Sequence, residues 1–258
     1  MTAPDDPRPD GPSPDDPSPD GPRSIATQSV DEMGGPTSIL ARQRADHARL
    51  DRLMDRARAT EAAGGRAHAV ALRAVARLVF THAFAEEAVL FPAARRVLPE
   101  GDDLTLDIER DHQRVDELVT RLDRSGSADP GHAALLRETF AVLDEDVRTE
   151  EDVLLPRLQE ALGHAELRRL GWEWELVRRI SPTRAHPVVS RRPPGQPLSA
   201  LPLTVLDRGR DLLQRVDELT GGRAAPVVAV VDRALAATAG AVERLPPVRR
   251  GERPETSR

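Results

Sequence analysis

Residues 82–92 read HAFAEEAVLFP and residues 146–156 read DVRTEEDVLLP. The stretches lie 64 residues apart and share a Glu-Glu doublet, an apolar step and a proline at matching offsets, but one opens on His82 and the other on Asp146. Helix positions four apart stack on one face, so His82 with Glu86, and Asp146 with Glu150, form two polar pairs on two helices. Both pairs fall on apolar stripes: His82 runs with Val75, Leu78, Val79, Val89 and Leu90, and Asp146 with Val142, Leu143 and Val153. Such stripes face a core, so these charges point inward.

Working outward, apolar residues recur every three or four positions from Ser38 to about Arg179, with breaks at 64–65, 98–103, 125–131 and 162–164. That periodicity predicts four long helices and a shorter fifth. Thr37 or Ser38 suits the first cap, Asp102 or Asp103 the third, and Asp129 with Pro130 opens the fourth. Short connections join antiparallel neighbours, so the expected fold is all-α: an antiparallel up-down-up-down four-helix bundle over 37–180. The bundle is internally duplicated, since DHARLDRLMDR at 46–56 aligns with DHQRVDELVTR at 111–121. His47 and His112 also lie on apolar stripes. His47 and His82 each stand 17 residues from the 64–65 turn, and His112 and Asp146 each 17 from Asp129. Equal distance from a hairpin turn means equal height, so His47, His82, His112 and Asp146 are expected to meet at mid-bundle, with Glu86 and Glu150 a turn away.

Burying an unpaired carboxylate costs several kcal/mol, and three together repel. Two divalent ions, with four positive charges against the three negative charges of Glu86, Asp146 and Glu150, remove both problems, and the imidazoles supply nitrogen ligands. The chain contains no Cys and no Tyr, which excludes disulfides, thiolate nucleophiles, zinc-thiolate sites, iron–sulfur clusters and tyrosinate-iron chemistry. Any metal is held by nitrogen and oxygen, a donor set with open positions that favours iron, then manganese, over zinc.

His47, HAFAEEAVLFP, His112 and DVRTEEDVLLP together resemble the hemerythrin-like, or HHE cation-binding, family: His on the first helix, H-x-x-x-E on the second, His on the third, H-x-x-x-E on the fourth. Asp146 departs from that pattern. The resemblance covers about 38–180 and implies a non-haem di-iron centre held by His47, His82, Glu86, His112, Asp146 and Glu150. It also implies binding or sensing of dioxygen, peroxide, nitric oxide species or iron itself. A third carboxylate makes the site harder and more anionic, favouring ferric over ferrous iron. The alternatives are a catalase-like di-iron enzyme that decomposes peroxide, and a metal-depleted helical scaffold. Without a readable nucleophile, cofactor loop or separate substrate pocket, binding or sensing is preferred to an enzyme. A ferritin-like carboxylate site would read Glu-x-x-His, acid first; this chain reads imidazole first.

The remaining positions read as support. Asp51 and Asp116 follow His47 and His112 by four residues and are candidates to bond those imidazoles, or to be exposed. Glu87 and Glu151 lie one residue off the ligand face, where solvent-facing pairing with Arg is expected. His68 is too far along its helix to join the site; His132, His164 and His186 read as structural or exposed, and Trp172 and Trp174 as packing anchors.

Residues 1–36 carry eight acids against two Arg, with eight prolines in the first 22 positions, and are expected to be disordered. They lack the charged start and apolar segment of a leader, and no run of about 18 uncharged apolar residues occurs; a cytoplasmic protein is expected. Residues 181–200 form a Pro/Arg-rich linker. Amphipathic helices follow within 201–246, able to pack on the bundle, on each other, or on another chain as a protein partner or by self-association; 247–258 is a disordered tail. Asp232 and Arg233 argue against a membrane span. From 181 onward there are 13 Arg against eight acids, but without interleaved aromatics a nucleic-acid partner is disfavoured.

Overall fold

The computed structural model describes residues 22–126 and 129–256, helices and connecting turns with no strand among them. α1 (Ile39–Glu61) starts on Ser38, whose hydroxyl accepts the Leu40 N–H at 3.2 Å, satisfying one of the donors a helix start leaves free. The turn into α2 (Gly65–Ala85) needs φ of +58° at Gly64 and +64° at Gly65, which glycine adopts without steric penalty. α2 continues through a π-helical turn, Glu86–Leu90, into α3 (Phe91–Val97). α4 (Gly101–Arg124) leads to α5 (His132–Thr149), a second π-helical turn at Glu150–Leu154, α6 (Leu155–Ala161) and α7 (His164–Arg179). Two starts differ from expectation. α4 is preceded by Glu100, placing Asp102 and Asp103 inside its first turn, and α5 begins at His132, with Asp129 accepting the Gly131 N–H at 2.8 Å instead of capping the helix.

Both π turns have one cause. Pro92 and Pro156 lack the N–H that would bond the carbonyl four residues back, and their rings crowd it. The ladder shifts by one residue: Phe91 N–H donates to the Glu86 carbonyl and Leu155 N–H to that of Glu150. The wider turn changes where the Glu-Glu doublets point, and π turns of this sort gather at functional sites.

Two apolar clusters fill the interior. One contains Leu40, Val89, Leu90, Phe91, Ile108, Leu154 and Trp174; the other Leu50, Val79, Val115, Leu143 and Phe140. α1 passes from the first to the second, α2 from the second to the first, and α4 and α5 repeat this alternation. At each crossing stands one of His47, His82, His112 and Asp146.

The flanks depart from expectation. Order begins before residue 37: Ile25 and Met33 are fully buried in the first cluster, because each supplies a large apolar side chain within an otherwise polar stretch. Residues 1–21 lie outside the described residues. The 181–200 stretch is packed, with Ser181, Thr183, Ser190, Arg191, Gln196 and Ser199 buried. α8 (Gly195–Leu219) starts inside it, and α9 (Ala225–Glu243) packs along α8. The tail expected to be disordered carries a 3-10 turn at Pro246–Arg249 with Val248 buried; residues 257–258 lie outside the described set. α9 is long and apolar enough to cross a membrane by length and mean hydropathy, 1.5, and its Asp232 pairs with Arg210 of α8 at 2.9 Å.

Candidate metal centre

All six candidate residues converge between the two apolar clusters. One ligand atom from each of His47, His82, Glu86 and Glu150 lies within 4.8 Å of the others; His112, Asp146 and Glu150 form a second such group, so Glu150 belongs to both. His47 Nε2 is 3.1 Å from Glu150 Oε2, and His82 Nε2 is 3.0 Å from Glu86 Oε1. His112 Nε2 lies 3.6 Å from Glu86 Oε2 and 3.7 Å from Asp146 Oδ2. Glu86 therefore also faces both groups.

The outer nitrogens fix the rings. His47 Nδ1 is 2.8 Å from Glu151 Oε1 and His112 Nδ1 is 2.9 Å from Glu87 Oε1, while His82 Nδ1 faces Asp46 Oδ2 at 3.5 Å. An ionised carboxylate only accepts, so Nδ1 carries the proton in the first two rings and Nε2 points into the centre, as ligating imidazoles do. Phe91 stacks on His112 at 5.7 Å and Trp174 of α7 meets His82 edge-on at 5.5 Å. Gln43 Nε2–H donates to Glu86 Oε1 at 2.7 Å.

Buried polar atoms are normally paired. Here His47 Nε2, Glu86 Oε2, Asp146 Oδ1 and Glu150 Oε1 are buried without a hydrogen-bond partner, and all four belong to residues of the two convergent groups. The same demand for positive charge appears in the titration. Burial opposes charging of His47, but Glu150 and Glu151 lift it to about 9; burial likewise opposes His112, which Asp146 and Glu87 lift to about 10. Burial, with Glu150 and Glu86 close by, pushes the Asp146 carboxyl well above its usual range. Protons are held where cations would satisfy more atoms. The donor set fits metal: one group offers two nitrogens and two carboxylates, the other one nitrogen and two carboxylates.

Residues 38–158 match the model of the hemerythrin HHE cation binding domain. This stretch is a hemerythrin HHE domain. No curated protein and no solved structure matches the chain. The HHE match ends within α6, so α7 and everything after it lie beyond it.

Residues around the HHE site in part follow and in part depart from the sequence reading. Glu87 and Glu151 are turned inward, bonding His112 and His47, because the π turn brings both members of each doublet toward the core. Asp51 is exposed. Asp116 is buried but bonds Arg191 instead of His112. His68 and His132 are buried and paired, Nε2 to Nε2 at 3.0 Å. Trp174 is buried as expected of an anchor, whereas Trp172 is 61% exposed with Arg42 over its ring. Gln43, Asp46 and Arg191 went unread. The doublets spaced 64 residues apart, each with a proline five residues after its second Glu, were the signal for Glu87 and Glu151.

A cavity of about 80 Å³ abuts the centre, lined by His82, His112 and Asp146 from the HHE domain and by Pro182, His186 and Arg191 from beyond it. That is room for a few waters or one small molecule.

Proposed function

We propose that the HHE domain, as an antiparallel up-down-up-down four-helix bundle, holds a non-haem di-iron centre on His47, His82, Glu86, His112, Asp146 and Glu150, and that the protein binds or senses a diatomic or peroxide ligand there. The observation that carries this reading is the convergence of six buried or nearly buried ligand residues in two groups sharing Glu150, with His47 Nε2 and one oxygen each of Glu86, Asp146 and Glu150 left without a hydrogen-bond partner. His47, His82 and His112 would hold the iron through ring nitrogens, and Glu86, Asp146 and Glu150 through carboxylate oxygens. A pair of iron ions there supplies open coordination positions and one-electron changes. The protein's own part is to fix Nε2 of His47 and His112 inward through Glu151 and Glu87, and to confine the ligand to the adjoining cavity.

The test is metal content per chain with a visible spectrum before and after adding azide or peroxide. About two irons and a new ligand-to-metal band are expected; a protein that refuses metal, with His82→Ala unchanged in metal content and melting temperature, sinks the reading. Fast peroxide turnover lost in His82→Ala would move the assignment from sensor to peroxide-decomposing enzyme.

A further inference from the structure

Between α7 and α8 the chain crosses the HHE domain and inserts Arg191, 8% exposed, beside the centre. Its Nη1 donates to Glu87 Oε1 at 2.9 Å, and its Nη2 donates to Gln113 Oε1 at 2.9 Å and to Asp116. Glu87 Oε1 is the same atom that receives His112 Nδ1–H, while Glu87 Oε2 receives Gln196 Nε2–H at 3.3 Å. Both oxygens of the carboxylate that orients His112 are thus tied to residues outside the HHE match. The neighbouring Arg192 pairs with the fully buried Glu109 at 2.7 Å, one turn before His112 on α4. The Arg191 N–H donates to Glu252 Oε2 at 2.6 Å, linking the insertion to the end of the chain.

We infer that Arg191 is a positioning residue for the metal centre: through Glu87 it sets the orientation of His112, and so couples loading of the His112–Asp146–Glu150 position to docking of the segment 181–256. This rests on the metal-centre reading above.

Geometry and charge carry the coupling. Glu87 buried alone would be an uncompensated carboxylate, free to swing toward solvent or to take a proton. A guanidinium spanning Glu87 and Asp116 offers two donors in a fixed fork, which an ammonium cannot reproduce. His47 has no such tie on Glu151 among the described residues, so the two metal positions are expected to respond differently. Coupling of this kind is reciprocal: if docking favours loading, loading favours docking.

The full chain is stripped and titrated with Fe(II) without oxygen, in wild type, Arg191→Gln and Arg191→Lys. Wild type is expected to take two ions. Arg191→Gln should keep one at unchanged affinity and bind the second at least tenfold more weakly, with Arg191→Lys between them. Arg191→Gln taking two ions at wild-type affinity overturns the inference, as does equal weakening of both. In parallel, hydrogen exchange of wild-type segment 182–196 is compared with and without Fe(II). Slower exchange on loading supports the coupling and unchanged exchange overturns it, a readout that stands even if Arg191→Gln fails to fold. If wild type itself takes no metal, the di-iron reading fails first and on separate grounds.

Discussion

In the first half of the site, His82 turns Nδ1 toward Asp46; one repeat later, Asp111 stands at the position of Asp46, and Asp146 replaces the imidazole. Asp111 is close enough to help push the Asp146 carboxyl up, although burial is the larger cause. Asp111 is therefore the candidate acceptor for an imidazole placed at 146. Asp146→His is expected to raise the reduction potential of the iron-loaded protein by trading an anionic ligand for a neutral one, and Asp111→Ala added to it should return part of that gain; an unchanged or lower potential in redox titration of Asp146→His counts against the assignment. Because one candidate group offers two nitrogens and the other one, Mössbauer spectra of the iron-loaded protein are expected to resolve two inequivalent irons of equal area. Glu87→Gln keeps the shape but loses the charge that holds His112, and a 10–100-fold loss of metal affinity is expected, as for other partners of ligating His. The six ligand candidates were legible in the sequence because periodicity and height both depend only on counting. The residues that aim them were not: reading Glu87 and Glu151 assumed a straight α-helix, and Arg191 comes from a segment whose prolines conceal how it packs.

At the scale of elements, α7 is held against the start of α1 by close backbone approach. A Cβ on Gly171 would sit 2.1 Å from the Thr37 carbonyl oxygen and under 3 Å from Ser38 and Ile39 backbone atoms. Backbone cannot rotate away, so Gly171→Ala is expected to cost about 1–3 kcal/mol by overpacking, to lower the melting temperature, and to loosen Trp174 from His82; a thermal melt within a degree of wild type would contradict this. α8 and α9 are fastened by His186, whose Nδ1 is 2.9 Å from Glu243 and Nε2 3.1 Å from Asp207, with Arg184 and Asp116 also acting within the cluster. Burial opposes its charge, but Asp207 and Glu243 lift it to about 9. The folded pKa is raised above the unfolded value of about 6.5, so the stabilisation is complete below pH 6.5 and fades as pH climbs through 9, on the order of 3 kcal/mol at its fullest. Proteolysis of the 181–256 segment should accelerate between pH 7 and 9.5, and His186→Ala should abolish that pH dependence. The helices themselves were foreseeable from periodicity, and so was the Ser38 cap of α1; the starts of α4 and α5 were not, since Glu100 and Gly131 offer no side-chain cap to recognise.

For the whole molecule, a belt of buried charge divides the interior into two apolar halves, and the belt's satisfaction governs global stability. Metal that binds only the folded chain contributes about 3–4 kcal/mol at 100–1,000 times its dissociation constant, on the order of 10 °C for a chain of this size; a chelator should reverse the shift, and a melting curve indifferent to both would leave the belt without a metal to serve. The duplication also carries a structural fingerprint away from the site. His68 and His132 are repeat mates, 64 residues apart in sequence, and they touch one another through the same atom, Nε2 to Nε2. A residue meets its own image only on a two-fold axis. At this contact the two hairpins of the HHE domain therefore meet at matching positions of their repeats. The matching stops at the metal site, where position 82 carries an imidazole and its mate, position 146, a carboxylate.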